Sequence, residues 1–259
     1  MTATIARQMI AAEILKLRRN RALMGFTLLL TVGIVVVVFG YLAIQHASDV
    51  ARHGPAGGTD NFDHAVRALG VFFGMLAAIL VGTEAGTADL SSGVFRDLVA
   101  TGRSRLSLFF VRAPAAILVT LAFSAVAYAV ALIATFAFAG SMPTPSAGLI
   151  LQSAGWIALC NSILAALAVG VGSLTGSRGV TLTALIGWQA VATNLLLSIT
   201  SLGGARDGLL TAALTQVIPL SGGGRGDVTM ATGIAVAVLA VWAIVPLAIG
   251  AWRTQTQDA

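Results

Sequence analysis

Charged residues divide this chain into long silent stretches. Positions 22–44, between Arg21 and Gln45, carry no charge. They predict one membrane span, since a hydrocarbon core of roughly 30 Å takes about 20 apolar helical residues. Between Arg67 and Glu84 lie 16 uncharged residues, so a second span is expected over 68–88 with Glu84 near one end. From Arg112 to Arg178 there is no charge over 65 residues. That leaves room for spans at 114–139 and 149–173, with a turn at Gly140-Ser-Met-Pro143-Thr-Pro145 between them. Two more spans are expected at 181–200 and 229–251. The runs are continuously apolar rather than alternating at every second residue, which favours helices over the strands of a barrel.

Composition agrees with this pattern. Hydrophobic residues make up 57% of the chain and Asp, Glu, Lys and Arg only 10%, against roughly 25% charged in a soluble protein. Mean hydropathy is +0.92. A soluble globule, a disordered chain and a coiled coil are all excluded, the last two because they need far more charge. The expected fold is an all-α integral membrane protein in one domain, residues 1–259. It has six transmembrane helices, an N-terminal interfacial amphipathic helix over 1–21, a cytoplasmic loop after helix two, and an outer re-entrant or interfacial helix before helix six.

The distribution of Lys and Arg sets the orientation. Eleven of the fifteen fall on the side that holds the N-terminus, the connection after span two, the connection after span four and the C-terminus; the other side has Arg52, Arg67, Arg206 and Arg225. Both termini are therefore expected in the cytoplasm and the protein in the cell membrane. The net charge of +5 reads as a topology signal, and no basic patch is interleaved with aromatics as nucleic-acid binding requires. The first apolar run, 23 residues, exceeds the 7–15 of a cleaved signal core. The single Cys160 allows no intrachain disulfide and no metal site built on cysteines.

Three segments outside the spans carry more information. Over residues 5–21, Ala6, Ile10, Ile14 and Leu17 share a helical stripe, while Lys16, Arg18 and Arg19 point largely elsewhere. A helix on the cytoplasmic leaflet fits, its basic residues at anionic headgroups; a plain basic flank to span one is the simpler alternative. Residues 84–112 mix both signs of charge with Phe95, Leu98 and Val99, which suits a short helix docked on a partner. Glu84 is either an anchor that orients this connection by pairing with Arg112, or a hydrated carboxylate near the interface. In residues 208–219, Leu209, Leu210, Ala213, Leu214, Val217 and Ile218 repeat with helical spacing, closed by Pro219 and a loop from Ser221 to Gly226.

Candidate chemistry within the spans is sparse. Asn161, Gln189 and Asn194 are the strongest polar groups at depth, expected to cross-link helices by hydrogen bonds rather than bind ions. His46, Asp49, His53, Asp60, Asp63 and His64 gather in the first outer loop without a compact metal-ligand spacing, and no histidine accompanies a buried serine. Gly70-x-x-x-Gly74, Gly82-x-x-x-Gly86 and Gly172-x-x-x-Gly176 are spacings that let helices approach closely and give weak support to dimer packing. Arg225-Gly226-Asp227 spells an adhesion tripeptide in a glycine-rich loop and carries almost no information. The only lysine, Lys16, follows no glycine-rich turn, so the chain has no Walker A loop and no ATPase of its own.

Taken in order, these features resemble the membrane permease subunits of ABC exporters of the second type, the ABC-2 family. The resemblance rests on Glu13-Ile-Leu-Lys16-Leu-Arg-Arg19 in an interfacial helix, then Glu84-x-Gly86-Thr87 after span two. It continues with Ser104-Arg105, the basic Arg112, and residues 208–220 before the last span. Many relatives have Pro where Thr101-Gly102 stands and Lys near Arg112. The resemblance implies a pathway between two six-helix halves, as a homo- or heterodimer, driven by a separate ATP-binding subunit. On that reading Glu13, Lys16, Arg18 and Arg19 belong to the interfacial helix and Glu84 is a membrane carboxylate with a structural role. Arg96, Asp97, Leu98, Arg103 and Arg105 would contact the ATPase. ATP and Mg would sit on that partner, with no cofactor and no enzymatic activity in this chain. Two other readings stay open: an ion-coupled secondary transporter, and an accessory membrane protein without its own pathway.

Overall fold

The computed structural model describes residues 3–100, 102–220, 228 and 230–256. Among these the protein is all-helical, without a strand, and six helices are long and apolar enough to cross a membrane. It is a multi-pass membrane protein. We label the helices α1 (Ala3–Arg19), α2 (Arg21–Ser48), α3 (Gly58–Ser91), α4 (Val94–Ala100), α5 (Arg105–Ala137), α6 (Ala147–Thr175), α7 (Arg178–Ser198), α8 (Leu210–Gln216) and α9 (Thr232–Thr256). The end of the bundle that holds α1, α4 and the α6–α7 turn is called proximal, and the opposite end distal.

Helices α3 and α6 form the centre. Of the apolar stretch of α6, 72% is buried inside the protein, against 22% for α7 and α9. The two central helices meet through small residues, because without a hydrophobic drive in lipid it is van der Waals contact that holds helices together. A Cβ at Gly86 would stand 2.7 Å from the Val169 carbonyl oxygen. One at Gly170 would stand 2.5 Å from the Pro246 backbone of α9. The glycine spacings in the sequence are thus used inside one chain: Gly82, Gly86 and Gly172 at the contact of α3 with α6, and Gly70 beneath the Trp156 ring. Gly176 ends α6 in the left-handed conformation, φ 62°.

Several boundaries differ from the expectation. Helix α3 begins at Gly58, ten residues before position 68, because Phe62, Ala65 and Val66 face inward and carry a polar, half-exposed helix out of the apolar run. Asp60, Asp63 and His64 therefore stand on a helix and not in a loop. Helix α5 likewise starts at Arg105, where the Ser104 hydroxyl caps it by accepting from the Ser107 N–H at 3.2 Å. The helix expected over 208–219 is confined to α8 and is preceded by 3₁₀ turns over Thr200–Gly208. Ala212 is buried along with Leu210, Ala213 and Leu214, so α8 is enclosed more fully than the two-sided stripe implied.

Two indoles fasten that segment to the bundle. Trp156 of α6 donates to the Leu214 carbonyl at 3.0 Å and Trp242 of α9 to the Gly208 carbonyl at 2.9 Å. Elsewhere at the distal end the Gly57 N–H reaches the Phe138 carbonyl at 2.8 Å and the Thr59 N–H the Pro143 carbonyl at 2.9 Å. The loop from Ser221 to Gly226 and the Arg225-Gly226-Asp227 tripeptide lie outside the described residues.

Candidate functional site: a charge network at the proximal end

The last turns of α3 carry two carboxylates. Asp89 is 5% exposed and accepts from the Lys16 ammonium through both oxygens at 3.0 Å. Arg112, fully buried where α5 enters the bundle, donates from Nη2 to Asp89 Oδ2 at 3.1 Å and from Nη1 to the Gly86 carbonyl at 3.5 Å. Its guanidinium also stands 5.3 Å from the centre of the Phe95 ring, within cation–π range. Lys16 closes the cluster with Glu13 Oε2 at 2.5 Å. Two acids and two bases leave it neutral. That matters because an isolated charge here would keep its full desolvation cost.

The second carboxylate, Glu84, lies about 7.5 Å further along the helix axis. It accepts from Asn20 Nδ2 at 2.9 Å and pairs with Arg178 at 3.1 Å. Asn20 occupies the break between α1 and α2 and caps α2 through its Oδ1, which accepts from the Leu23 N–H at 3.1 Å. One acid thus ties α3 to the starts of α2 and α7, and the other ties α3 to α1, α4 and α5.

Two expectations are corrected by this geometry. Glu84 does not pair with Arg112, because Asp89, five residues nearer the end of α3, lies where α5 begins. Lys16 does not point away from the protein: with Glu13 it is on the half-buried face of α1, beside the buried Leu17. Arg18 and Arg19 are exposed. On α4, Arg96 and Asp97 are exposed while Leu98 is half-buried and Phe95 is turned in. Arg103 is exposed before α5, and Arg105 is half-buried and engaged. The structure therefore gathers Glu13 and Lys16 into one cluster and leaves Arg18, Arg19, Arg96, Asp97 and Arg103 on the surface.

Asp89, Asn20 and Arg178 were missed in the sequence. For Asp89 a signal was present: a carboxylate at the end of one span and an arginine at the start of the next both need a partner in lipid. Of the three deep amides, only Asn161 links helices, donating to the Leu69 carbonyl at 3.3 Å and to Ser124 Oγ at 2.9 Å. Gln189 accepts from Thr193 of its own helix, and Asn194 donates to the Ala190 carbonyl of its own helix.

Positive-φ glycines stand at both borders of α4, Gly93 at φ 75° and Gly102 at φ 84°. The short helix therefore turns sharply away from α3 and sharply into α5, and it presents Arg96 and Asp97 outward while Phe95 holds it to Arg112. What this arrangement offers is a charged surface on α4 linked to three other helices, α1, α3 and α5. Compared with known families and curated proteins, the chain matches no family model and no curated protein.

Proposed function

We propose that this chain is the membrane permease subunit of an ABC-2-type exporter, working with a second permease half and a separate ATP-binding subunit. The proximal end then faces the cytoplasm, α1 lies at the inner leaflet of the cell membrane, and α8 with its preceding turns is folded into the outer side. Arg96, Asp97 and Arg103 meet the ATPase. The observation that carries this reading is the attachment of α4 to the bundle: through Phe95, Arg112, Asp89 and Lys16, a push on α4 is delivered to α1, α3 and α5 together. A helix of seven residues is unstable alone in water, and this one is braced where a moving partner would act.

The test is purification of the tagged chain in mild detergent from its native host, with identification of bound proteins. A stoichiometric ATPase is expected with the wild type, and its loss with Arg96→Glu and Arg103→Glu combined, membrane insertion being unchanged. Retention of the ATPase by the double variant removes α4 as the coupling surface. A chain that arrives alone under conditions preserving other complexes removes the permease reading in favour of an ion-coupled transporter.

A further inference from the structure

Helix α3 is not a single regular helix. Over Ala68–Phe72 its backbone bonds span five residues, the Phe73 N–H reaching the Ala68 carbonyl, and Phe72 leaves helical geometry at φ −116°, ψ −83°. Such a π turn is equivalent to one residue inserted into an α-helix, and it is disfavoured unless its surroundings hold it. Here they do. The Leu69 carbonyl receives Asn161 Nδ2 from α6, and the same nitrogen also binds Ser124 Oγ on α5. Since a carbonyl only accepts, this contact fixes which end of the amide faces α3. Gly74 completes the fit: a Cβ there would lie 1.7 Å from the Leu69 oxygen.

Two other π turns, Leu29–Gly33 in α2 and Gly187–Ala192 in α7, are served from within their own helices. In α2 the Thr31 hydroxyl donates to the Thr27 carbonyl, and in α7 the Thr193 hydroxyl donates to the Trp188 carbonyl. Among the described residues only the turn in α3 is held by a side chain of a different helix. Asn161 Oδ1, also buried, meets no donor among the described protein groups, so the amide is held to α3 and α5 through its nitrogen alone.

The bulge also divides differently anchored arms. Residues 73–91 are fastened by Glu84 and Asp89 to the proximal helices, and residues 58–67 follow the distal contacts of Gly57 and Thr59. We propose that α3 hinges at residues 68–74 and that Asn161 is the latch of this hinge. While Asn161 grips Leu69, the extra residue is pinned and the two arms are held in one relative orientation. When it lets go, the extra residue is free to move along α3 and the distal arm bends and twists against the proximal one. This holds whether or not the chain is a permease.

The experiment is hydrogen exchange read by mass spectrometry on the full chain in lipid nanodiscs. Leu69 and Gly70 are buried and level with Asn161, midway along α6, so the amides of 68–74 exchange only when the turn opens. In the wild type, peptides over 68–74 are expected to exchange faster than those over 77–86. Asn161→Leu should raise the 68–74 rates about tenfold further, the effect of one lost hydrogen bond on local opening. Deleting Val71 removes the inserted residue and keeps both arms in register, so that variant should fold and show 68–74 slowed to the level of 77–86. Deleting Leu80 from the regular part of the helix should not fold. If Asn161→Leu does not fold, Gly74→Ala, which crowds the Leu69 oxygen, must alter the same peptides. Equal protection of both regions in the wild type overturns the hinge. So does an unchanged rate in the latch variants, or failure of the Val71 deletion to fold.

Discussion

Replacing Asp89 by Asn keeps the shape of the side chain and removes the charge that Lys16 and Arg112 share. The two arms of that interaction are unequal. The Arg112 side chain is 1% exposed and that of Asp89 6%, so this arm lies in the protein interior, where two unit charges about 4 Å apart attract by roughly 4 kcal/mol at an effective dielectric constant near 20. Losing one member of such a pair leaves the other charge buried and costs about 3–5 kcal/mol. Lys16 is 34% exposed, and a screened arm of this kind is worth about 0.2–1 kcal/mol. Asp89→Asn is therefore expected to lower the free energy of SDS-induced unfolding in mixed micelles by about 3–5 kcal/mol. Lys16→Met should lower it by less than that, because it leaves Glu13, 13% exposed, short of a partner while the fully buried Arg112 keeps Asp89. Asp89→Asn combined with Arg112→Met removes both buried charges and should recover most of the loss. The reasoning is refuted if Asp89→Asn costs no more than Lys16→Met, or if the double variant is as unstable as the single one.

Two further outcomes follow from packing. Gly86→Val places branched carbons against the Val169 backbone and should separate α3 from α6, cutting the yield of folded monomer in size-exclusion chromatography several-fold, whereas Gly25→Ala, with open space around it, should leave the yield unchanged. Trp156→Phe keeps most of the ring and deletes the bond to the Leu214 carbonyl; it should cost about 0.5–1.5 kcal/mol and raise protease cleavage within residues 208–218 without affecting the proximal end.

The six membrane-crossing helices were legible because lipid excludes charge, so charge-free length alone marks them. What lay beyond them depended on partners distant in the sequence. Asp60, Asp63, His64 and Arg67 read as a loop, since the inward face of Phe62, Ala65 and Val66 is too short to declare a helix without the bundle it docks on. Lys16 and Asp89 are 73 residues apart and Arg112 and Asp89 are 23 apart, so no local spacing announces their cluster. The helical wheel of α1 set Lys16 apart from the apolar stripe together with Arg18 and Arg19; a buried carboxylate on another helix draws it in. Glu84 stands on α3 and meets Asn20 and Arg178, so the pairing with Arg112 was misassigned by about one and a half helical turns, an error that sequence distance cannot resolve. The π turn of α3 gave a partial signal in Gly70 and Gly74, which read as a contact motif.

The two tryptophans that hold α8 also order the events of synthesis. A chain made from its N-terminus has Trp156 already inserted when residues 200–216 leave the ribosome, and Trp242 still to come. The Leu214 carbonyl can be caught at once, whereas the Gly208 carbonyl must wait until α9 is in the bilayer. The distal segment is thus first tethered at one end and later closed at the other, so α9 acts as the bolt drawn last. A chain interrupted before residue 242 would leave this segment fastened at Leu214 alone.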